Sequence, residues 1–283
     1  KSTDVKMQFW TEVIGKLSFY TLLYAGLSGF FVSYYWTLHY FLVQRNAPFR
    51  SGHGSLLQLQ PGLGFVPQNS FLDTLIHVRT NEPLSFHGLT DEMAAFLSAY
   101  LMHNIGGMKQ ECRNDEPFLH THRTCEFDIT AGGPCNLGDG FGFYRGEPCI
   151  ILKLNRIIGW LPDPVPEFKE GVAVKCTGAT GIDQELMGEP CYYDLQWWRR
   201  NRNNLTYVRS RSPAVCKKGN GIFDSMFYPY INQRQYHSPL VFVRFPFVKR
   251  YAIVNVVCFA IARNIQVNLA QGLGSVSFQL LID

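Results

Sequence analysis

Hydrophobic and polar positions follow two different patterns along this chain, and the first is one long apolar run. Residues 17–44 contain no Asp, Glu, Lys or Arg, and LSFYTLLYAGLSGFFVSYYWTL fills 22 of those positions. A helix of that length rises about 33 Å, enough to cross a hydrocarbon core of about 30 Å. A signal peptide has a shorter apolar run that ends in small residues, whereas bulky aromatic residues end this one. The run predicts a single transmembrane helix over residues 17–43.

This predicted helix has two unlike faces. Ala25, Gly29 and Ser33 recur every four residues and form a stripe of small side chains, which allows another helix to approach closely. Tyr20 and Tyr24 lie about 140 to 220 degrees around the helix from that stripe. Their hydroxyl groups need hydrogen-bond partners that lipid tails do not offer, which favours a partner membrane protein. A purely lipid-facing helix with scattered Gly and Tyr is the alternative.

The second pattern consists of short alternating runs separated by Gly and Pro, and it fills the C-terminal half. In CIILKLNRI, Ile150 and Leu152 share one face with Leu154, and Ile151 shares the other with Lys153, which predicts a half-buried strand. GVAVKC, SPLVFVRF, YAIVNVVCFAIA and SVSFQLLI continue the pattern. Such runs predict an immunoglobulin-like antiparallel β-sandwich.

One helix is predicted within this second part, at residues 90–106, with Thr90 as its N-cap and Gly106 as its stop. The Gly- and Pro-rich residues 45–70 predict an extended stalk. The expected order along the chain is therefore a cytoplasmic tail, a transmembrane helix, an extracellular stalk and a disulfide-bonded β-sandwich. Their expected bounds are residues 1–16, 17–43, 44–75 and 76–283.

Composition and the cysteines fix the expected topology. The apolar fraction of 46% excludes a largely disordered chain, and a net charge of +4 is too small to indicate nucleic-acid binding. Eight cysteines lie between positions 112 and 258 without the close pairs typical of zinc sites, so a disulfide framework is favoured over scattered thiols. Disulfides require an oxidising compartment, and Lys1, Lys6 and Lys16 precede the span. A type II protein with an extracellular C-terminus is therefore expected.

Candidate chemistry is sparse, which argues against a lumenal type II enzyme. The sequence contains no Asp-x-Asp, HExxH or GxSxG motif, and Gly138, Gly140 and Gly142 do not fit GxGxxG. His120 and His122 would share one strand face, but a metal site needs further ligands. We expect no catalytic residue, no metal and no cofactor.

The basic, aromatic stretch WWRRNRNNLTYVRSR is expected to be a solvated loop, with contact to anionic lipid headgroups or to acidic loops of a partner as the alternative. It contains an N-glycosylation motif at Asn204.

Several motifs in order resemble the beta subunit of the sodium/potassium-transporting ATPase, a family that includes the proton/potassium pump's beta subunit. They are FYTLLYAGLSGFF in the span, PGLGFVPQ in the stalk, and CEFDITAGGPC, YRGEPCIILKLNRIIGW, VKCTG, FYPY, YHSPLVFVRF and CFAIARNI beyond it. The resemblance covers nearly the whole chain. It implies the disulfides Cys112–Cys125, Cys135–Cys149 and Cys176–Cys258, and leaves Cys191 and Cys216, which flank an apparent insertion, to pair with each other.

The resemblance also implies the function. A beta subunit is non-catalytic, pairs with a catalytic alpha subunit at the plasma membrane, assists its folding and export, and modulates its potassium affinity. A small single-span regulatory subunit and membrane lipid are further expected partners. The implied interface residues are Tyr20 and Tyr24 against a partner helix, and Phe227, Tyr228, Pro229, Tyr230, Tyr236, Pro239 and Leu240 against the partner's outer loop. Two alternatives stay open: these aromatics are ordinary core or loop residues, and the chain is a cell-adhesion molecule.

Overall fold

The structure, a computed structural model, describes residues 2–44, 47–48, 50, 54, 59–68, 74–101, 109–110, 112, 124–204 and 215–283. The chain forms two compact units, residues 1–51 and residues 52–283. The first unit is built on one helix, and the second contains the sheets.

The helix of the first unit, α1, spans Ser2–Leu42. It therefore begins well before the predicted span and includes most of the predicted tail. Its segment Glu12–Phe41 has a mean hydropathy of 1.2 and is long and apolar enough to cross a membrane. The side chains of this segment are mostly exposed, and so is that of Trp10 on the preceding turn. Val43–Gln44 and Ala47–Pro48 follow as a short antiparallel pair.

The described part of the second unit has nine strands of three or more residues. They are β1 (Leu63–Val66), β2 (Leu75–Val78), β3 (Cys149–Leu154), β4 (Gly171–Gly178), β5 (Cys191–Tyr193), β6 (Gly221–Asp224), β7 (Leu240–Arg244), β8 (Ile253–Ile261) and β9 (Ser275–Ile282). The large sheet has the order β6-β4-β8-β9-β2, and the small sheet has the order β1-β3-β7-β5. Every pair is antiparallel except β9 with β2. Two facing sheets confirm the predicted sandwich.

Large apolar side chains fill the space between the two sheets. Phe278 of the large sheet lies with its ring centroid 5.0 Å from that of Phe65 in the small sheet and 6.0 Å from that of Phe245, just after β7. The sheets lie close together at Gly221, where an added Cβ would lie 2.3 Å from a methyl carbon of Val241. A residue without a side chain is required at that position.

The outer face of the small sheet is also covered. Helix α2 spans Leu84–Ser98 and buries Phe86, Met93 and Leu97 against the domain. A 3-10 turn at Ile129–Gly132 lies over the ring of Phe242 in β7. The prediction of a half-buried β3 is therefore wrong, because these elements bury Ile151 as completely as Ile150 and Leu152.

The predicted helix at residues 90–106 is displaced. Observed α2 begins at Leu84 and ends at Ser98, and residues 102–106 lie outside the described part. Thr90 is buried inside the helix, where its hydroxyl donates to the carbonyl of His87 at 2.8 Å, so it is not the N-cap. The helix starts instead after Pro83, which has helical backbone angles.

The sandwich contains more helix than the single one predicted. Among the described residues, α3 spans Gly181–Met187 and α4 spans Leu195–Asn201. A capping box between Thr180 and Asp183 starts α3, and the Asp194 side chain caps α4. Both helices are short, and the hydrophobic pattern in seven residues is too brief to distinguish helix from loop.

Part of the segment predicted as stalk belongs to the sandwich. Strand β1 lies inside it and pairs with β3, with Phe65 opposite Leu152. Leu63, Phe65 and Val66 are buried in the core. PGLGFVPQ is therefore part of the sandwich, because its apolar residues alternate in register with a central strand.

All eight cysteines are joined, in the four pairs named above. Cys176–Cys258 links directly opposed residues of β4 and β8, and Cys135–Cys149 fixes the start of β3. Cys112–Cys125 and Cys191–Cys216 complete the set.

The sandwich has two distinct ends. At the first, which we call the near end because the chain enters the sandwich there, residues 59–62 lie beside residues 155–163, 228–239 and 262–274. Backbone hydrogen bonds join Asn155 to Gly62 and Gly159 to Tyr230. At the far end, residues 246–252 bond to the end of α3, through Lys249 and Leu186.

Candidate partner interface

Tyr20 and Tyr24 lie one turn apart on α1 and form a stacked pair. Their ring centroids are 6.4 Å apart with an interplanar angle of 24°, and 53% and 62% of the two residues is exposed. With Val13, Lys16, Leu17 and Thr21 they line a shallow groove along the helix. Flat rings beside an open groove form a surface on which a second helix can pack.

The predicted interface run in the second unit is mostly internal. Phe227, Tyr228, Tyr236, Pro239 and Leu240 are buried, whereas Pro229 and Tyr230 are half-buried. Phe227 packs 5.8 Å from Phe127, and Tyr228 meets Trp160 edge-on at 5.4 Å between centroids. Of these seven residues, Pro229 and Tyr230 are therefore the accessible ones, and the other five form part of the core beneath them.

Exposed Arg156 organises the accessible part of the run. Its guanidinium carbon lies 5.6 Å from the ring centroid of Tyr230 and 5.3 Å from that of Tyr236. Its Nε donates to the Ser238 hydroxyl, and its Nη2 donates to the carbonyl of Tyr236, both at 3.3 Å. These contacts fix an otherwise flexible cation against two rings. We call Arg156, Tyr230 and Tyr236 the cationic platform.

A second cation lies nearby on β3. Lys153 Nζ is 4.9 Å from the ring centroid of Phe96 on α2. Partial burial, and then the charge of Arg156, lower the pKa of Lys153, while Glu92 acts in the opposite direction. The two cations repel each other, so an acidic group placed between them is favoured.

Three buried tyrosines in and behind the platform are held in their neutral form. Burial is the main cause that raises the pKa of Tyr100, Tyr228 and Tyr236 above the usual range. The Tyr100 hydroxyl donates to the carbonyl of Ser238 at 3.0 Å, which ties α2 to the platform's backbone. The platform therefore carries its positive charge without a compensating phenolate.

One acidic residue, Asp224, lies just before this run. Burial raises the pKa of Asp224 to about 6, although the hydrogen bond from Gln196 at 2.7 Å acts the other way. Asp194 and Glu170 raise this pKa further, and Arg199 lowers it. Asp224 is thus a carboxyl group that titrates in mildly acidic solution.

The remaining candidate positions are spread over the molecule. Asn204 is exposed just after α4, whereas the other residues of its glycosylation motif lie outside the described part of the chain. His120, His122, Arg209 and Arg211 also fall outside it. Among the described residues no group of three or more His, Cys, Asp or Glu side chains is arranged to hold a metal ion.

Comparison with known proteins gives one consistent result. The family model for "Sodium / potassium ATPase beta chain" matches residues 6–278. Sodium/potassium-transporting ATPase subunit beta-2 of Drosophila melanogaster is 29% identical, over 81% of this chain and 73% of its own length. A probable subunit beta-3 of Caenorhabditis briggsae is 28% identical over 94% and 78%, and the human beta-2 subunit is 26% identical over 94% and 86%. The chain belongs to the sodium/potassium ATPase beta chain family.

Membership gives this beta chain the non-catalytic role in the pump, and with its apolar α1 it is a single-pass membrane protein. The resemblance found in the sequence is confirmed.

Sequence reasoning about this beta chain overlooked the residues that shape the platform. Arg156 ends the KLNR motif, so the family signature contained it, but no interface role followed from the motif alone. Ser238 and Tyr100 were overlooked because their contacts join segments more than 80 residues apart.

Proposed function

We propose that this chain forms a heterodimer with the catalytic alpha subunit of a sodium/potassium-transporting ATPase and that the catalytic site lies on that other chain. The observation that carries the proposal is the family match, which runs through both α1 and the sandwich. An accessory role that used only one of the two units would not require both to follow the family pattern.

The proposed topology places α1 across the plasma membrane and the sandwich outside the cell. Four disulfides support this orientation, because they form and persist in oxidising compartments. Lys6 and Lys16 on the other side of the span agree with the positive-inside rule. Glycosylation at Asn204 would be compatible with this placement, since the residue is exposed.

Within the membrane, we assign the Tyr20–Tyr24 face to a helix of the alpha subunit. Stacked rings offer a large contact area, and polar groups on the partner helix would satisfy the hydroxyls. Ala25, Gly29 and Ser33 lie on the opposite side of α1 and leave a second face for lipid or for a small single-span subunit.

Outside the membrane, we assign the cationic platform to an outer loop of the alpha subunit. The platform offers a fixed positive charge beside half-buried Pro229 and Tyr230. If it contacts that loop differently in the pump's two main conformations, it shifts their populations and with them the potassium affinity. Within the membrane, α1 would cover polar surfaces of the alpha subunit's helices and so assist its folding and export.

Co-expression with a named partner tests the proposal. The chain and a sodium/potassium ATPase alpha subunit are produced together, solubilised in mild detergent, and captured through a tag on this chain. We expect equal amounts of the two subunits and ouabain-sensitive ATP hydrolysis. A double Tyr20→Ala, Tyr24→Ala variant should retain less alpha subunit than the control Phe30→Ala, a substitution of another exposed aromatic residue on α1.

A chain that reaches the cell surface alone, captures no alpha subunit and instead makes cells adhere would contradict the proposal and support the adhesion function.

A further inference from the structure

One arginine motif of the sequence is not used by the interface described above. Arg199, Arg200 and Arg202 form Arg-Arg-Asn-Arg, the only place in the sequence where two arginines are three positions apart. Endoproteases of the proprotein-convertase class, which act in the secretory pathway, recognise this spacing. Acidic pockets on such an enzyme bind the arginine before the cleaved bond and the arginine three positions further back. The motif therefore marks the Arg202–Asn203 bond.

This bond lies just beyond the end of α4, which is at Asn201. Residues 202–204 are all exposed. The backbone N–H of Arg202 donates to the carbonyl of Trp198 at 2.7 Å, which is a bond of the last helical turn. Exposed polar turns at the end of an element are preferred sites of proteolytic cleavage. The bond is thus on the surface, next to the end of a helix.

Cleavage requires the last turn of α4 to open, because a protease binds its substrate as an extended strand. A helix of seven residues gains little stability from its own hydrogen bonds. The start of α4 is held separately: Asp194 accepts from the backbone of Trp197 at 2.8 Å, and the Trp197 indole donates to the carbonyl of Val215 at 3.2 Å. The last turn is anchored through Arg199, whose Nη2 donates to the carbonyl of Cys112 at 2.7 Å. Breaking that contact opens the end of the helix while its start stays in place.

The two sides of the bond are joined by covalent and polar links. Cys191–Cys216 and Cys176–Cys258 each connect a residue before the motif to a residue after it. Tyr192 and Lys217 also exchange two backbone hydrogen bonds, of 2.8 and 3.3 Å. Lys217 Nζ contacts the Asp194 carboxylate at 2.7 Å. A chain cut after residue 202 therefore stays one folded molecule made of two linked polypeptides.

We propose that a proprotein convertase hydrolyses the Arg202–Asn203 peptide bond and converts this chain into a disulfide-linked two-chain form. Water supplies the hydroxyl group of the new carboxyl at Arg202 and the hydrogen of the new amine at Asn203. The proposal rests on the extracellular orientation proposed above, which takes the motif through the compartments in which these proteases act. A glycan on Asn204 would lie next to the bond and block the protease, so cleavage is confined to molecules without it.

Purified protein tests the cleavage without an alpha subunit and without any assumption about orientation. The full chain with Thr206→Ala, which removes the glycosylation motif, is treated with furin in mild detergent. Gels run with and without reductant separate the products, and mass spectrometry locates the cut. We expect one band without reductant, and with reductant two fragments that meet between Arg202 and Asn203. Two species without reductant would contradict the linked form.

Three substitutions test which side chains the protease binds. Arg202→Gln should slow cleavage more than about 100-fold, because the enzyme's acidic pocket is left unpaired. Arg199→Gln should slow it at least about tenfold, although it also frees the last turn of α4. Faster cleavage of that variant would contradict the proposal, since Arg199 would then act only as an anchor. Arg200→Gln is the control and should change the rate less than about twofold, because the motif does not require this exposed arginine.

Lys249 and Arg250 provide an internal control. Both are exposed and adjacent, but Phe247 stands where the motif needs its first arginine, so no cut is expected after Arg250. A cut there at an equal rate would overturn the proposal. So would an intact chain under conditions that cleave a peptide of residues 197–206.

Co-expression with furin in secretory cells completes the test. The Thr206→Ala chain should yield the same two fragments in these cells, whereas the glycosylated parent chain should stay whole. A Thr206→Ala chain that furin cuts only after purification would overturn cleavage in the secretory pathway. Capture of the alpha subunit by that uncut chain would leave the proposed pump assembly standing, so the two failures are distinguishable.

Discussion

Strands β3 and β8, one from each sheet, reverse what their sequences suggest. CIILKL in β3 alternates and contains a lysine, yet Ile150, Ile151 and Leu152 are all fully buried. IVNVVCFAI in β8 is almost continuously apolar, yet every second residue is partly or largely exposed, beginning with Ile253. Strand β3 of the small sheet is therefore covered on both faces, whereas β8 of the large sheet is fully covered on one.

The reason lies in elements distant along the chain. On the outer face of the small sheet, Phe96 of α2 lies against Lys153 of β3, and the 3-10 turn at Ile129–Gly132 lies against Phe242 of β7. On the outer face of the large sheet, α3 covers one part through Asp183, which accepts hydrogen bonds from the backbone and side chain of Asn255. Burial of a strand residue thus depends on what packs over it as well as on its own alternation.

The largest expected effect concerns the disulfide of the less covered sheet. Replacing Cys176 and Cys258 by Ala opens a loop of 82 residues, which in the chain-entropy model costs about 4 to 5 kcal/mol of unfolding free energy. Removing Cys135–Cys149, with a separation of 14, should cost about 3 kcal/mol. Chemical unfolding in detergent, followed by tryptophan fluorescence, measures both. A larger loss for the shorter loop would show that local packing outweighs loop length.

Two isoleucines compare the sheets directly. Ile151→Ala removes a fully buried side chain of β3 and should lower the unfolding free energy by about 2 to 4 kcal/mol. Ile253→Ala makes the same chemical change on β8, where the residue is 53% exposed, and should cost less than about 1 kcal/mol. The same unfolding experiment tests both. Similar losses would mean that the exposed face of the large sheet is covered in the isolated chain.

The sequence predicts the sandwich and the membrane helix well because both depend on local periodicity. The long run around Tyr20 and the alternating runs at β4 and β9 need no knowledge of distant residues. The start of α2 was mispredicted for a local reason, since the helix begins after Pro83. The pairing of residues 63–66 with β3 and the burial of Ile151 were mispredicted because a distant segment decides each. For the same reason the platform was found only in part: Tyr230 and Tyr236 lie in a recognisable motif, but Arg156 acquires its role through rings about 80 residues away.

Two buried aspartates at the edge of the large sheet differ in their partners: Asp194 is paired with a cation and Asp224 is not. Asp194 contacts Lys217 at 2.7 Å and two backbone N–H groups, whereas Asp224 has one amide partner. The raised pKa of Asp224, about 6, lies above its unfolded value of about 4, so the folded state binds more protons in between. The stability contributed by the protonated form is complete below about pH 4 and is lost as the pH rises through about 6.

Asp224→Asn should therefore be more stable than the parent chain at pH 7, by about 1 to 3 kcal/mol, and equally stable near pH 4. The measurement is the difference in unfolding free energy across pH 4 to 7. Asp194→Asn is the control and should destabilise at pH 7, since it leaves Lys217 without its carboxylate. A difference for Asp224→Asn that does not change with pH would show that the carboxyl stays ionised.

The smallest expected effect concerns Arg156, just beyond the fully buried β3. Arg156→Gln removes two cation–π contacts at an exposed position, which together contribute about 1 to 2 kcal/mol. Arg156→Lys keeps the charge but not the planar group that donates to both Ser238 and Tyr236, so its effect should be intermediate. Unfolding free energy measures the structural part of the loss. Capture of the co-expressed alpha subunit measures the loss of partner binding. The control is Arg234→Gln, a substitution of an exposed arginine between Tyr230 and Tyr236. If Arg156→Gln and Arg234→Gln weaken capture equally, general positive charge attracts the partner and the fixed platform does not.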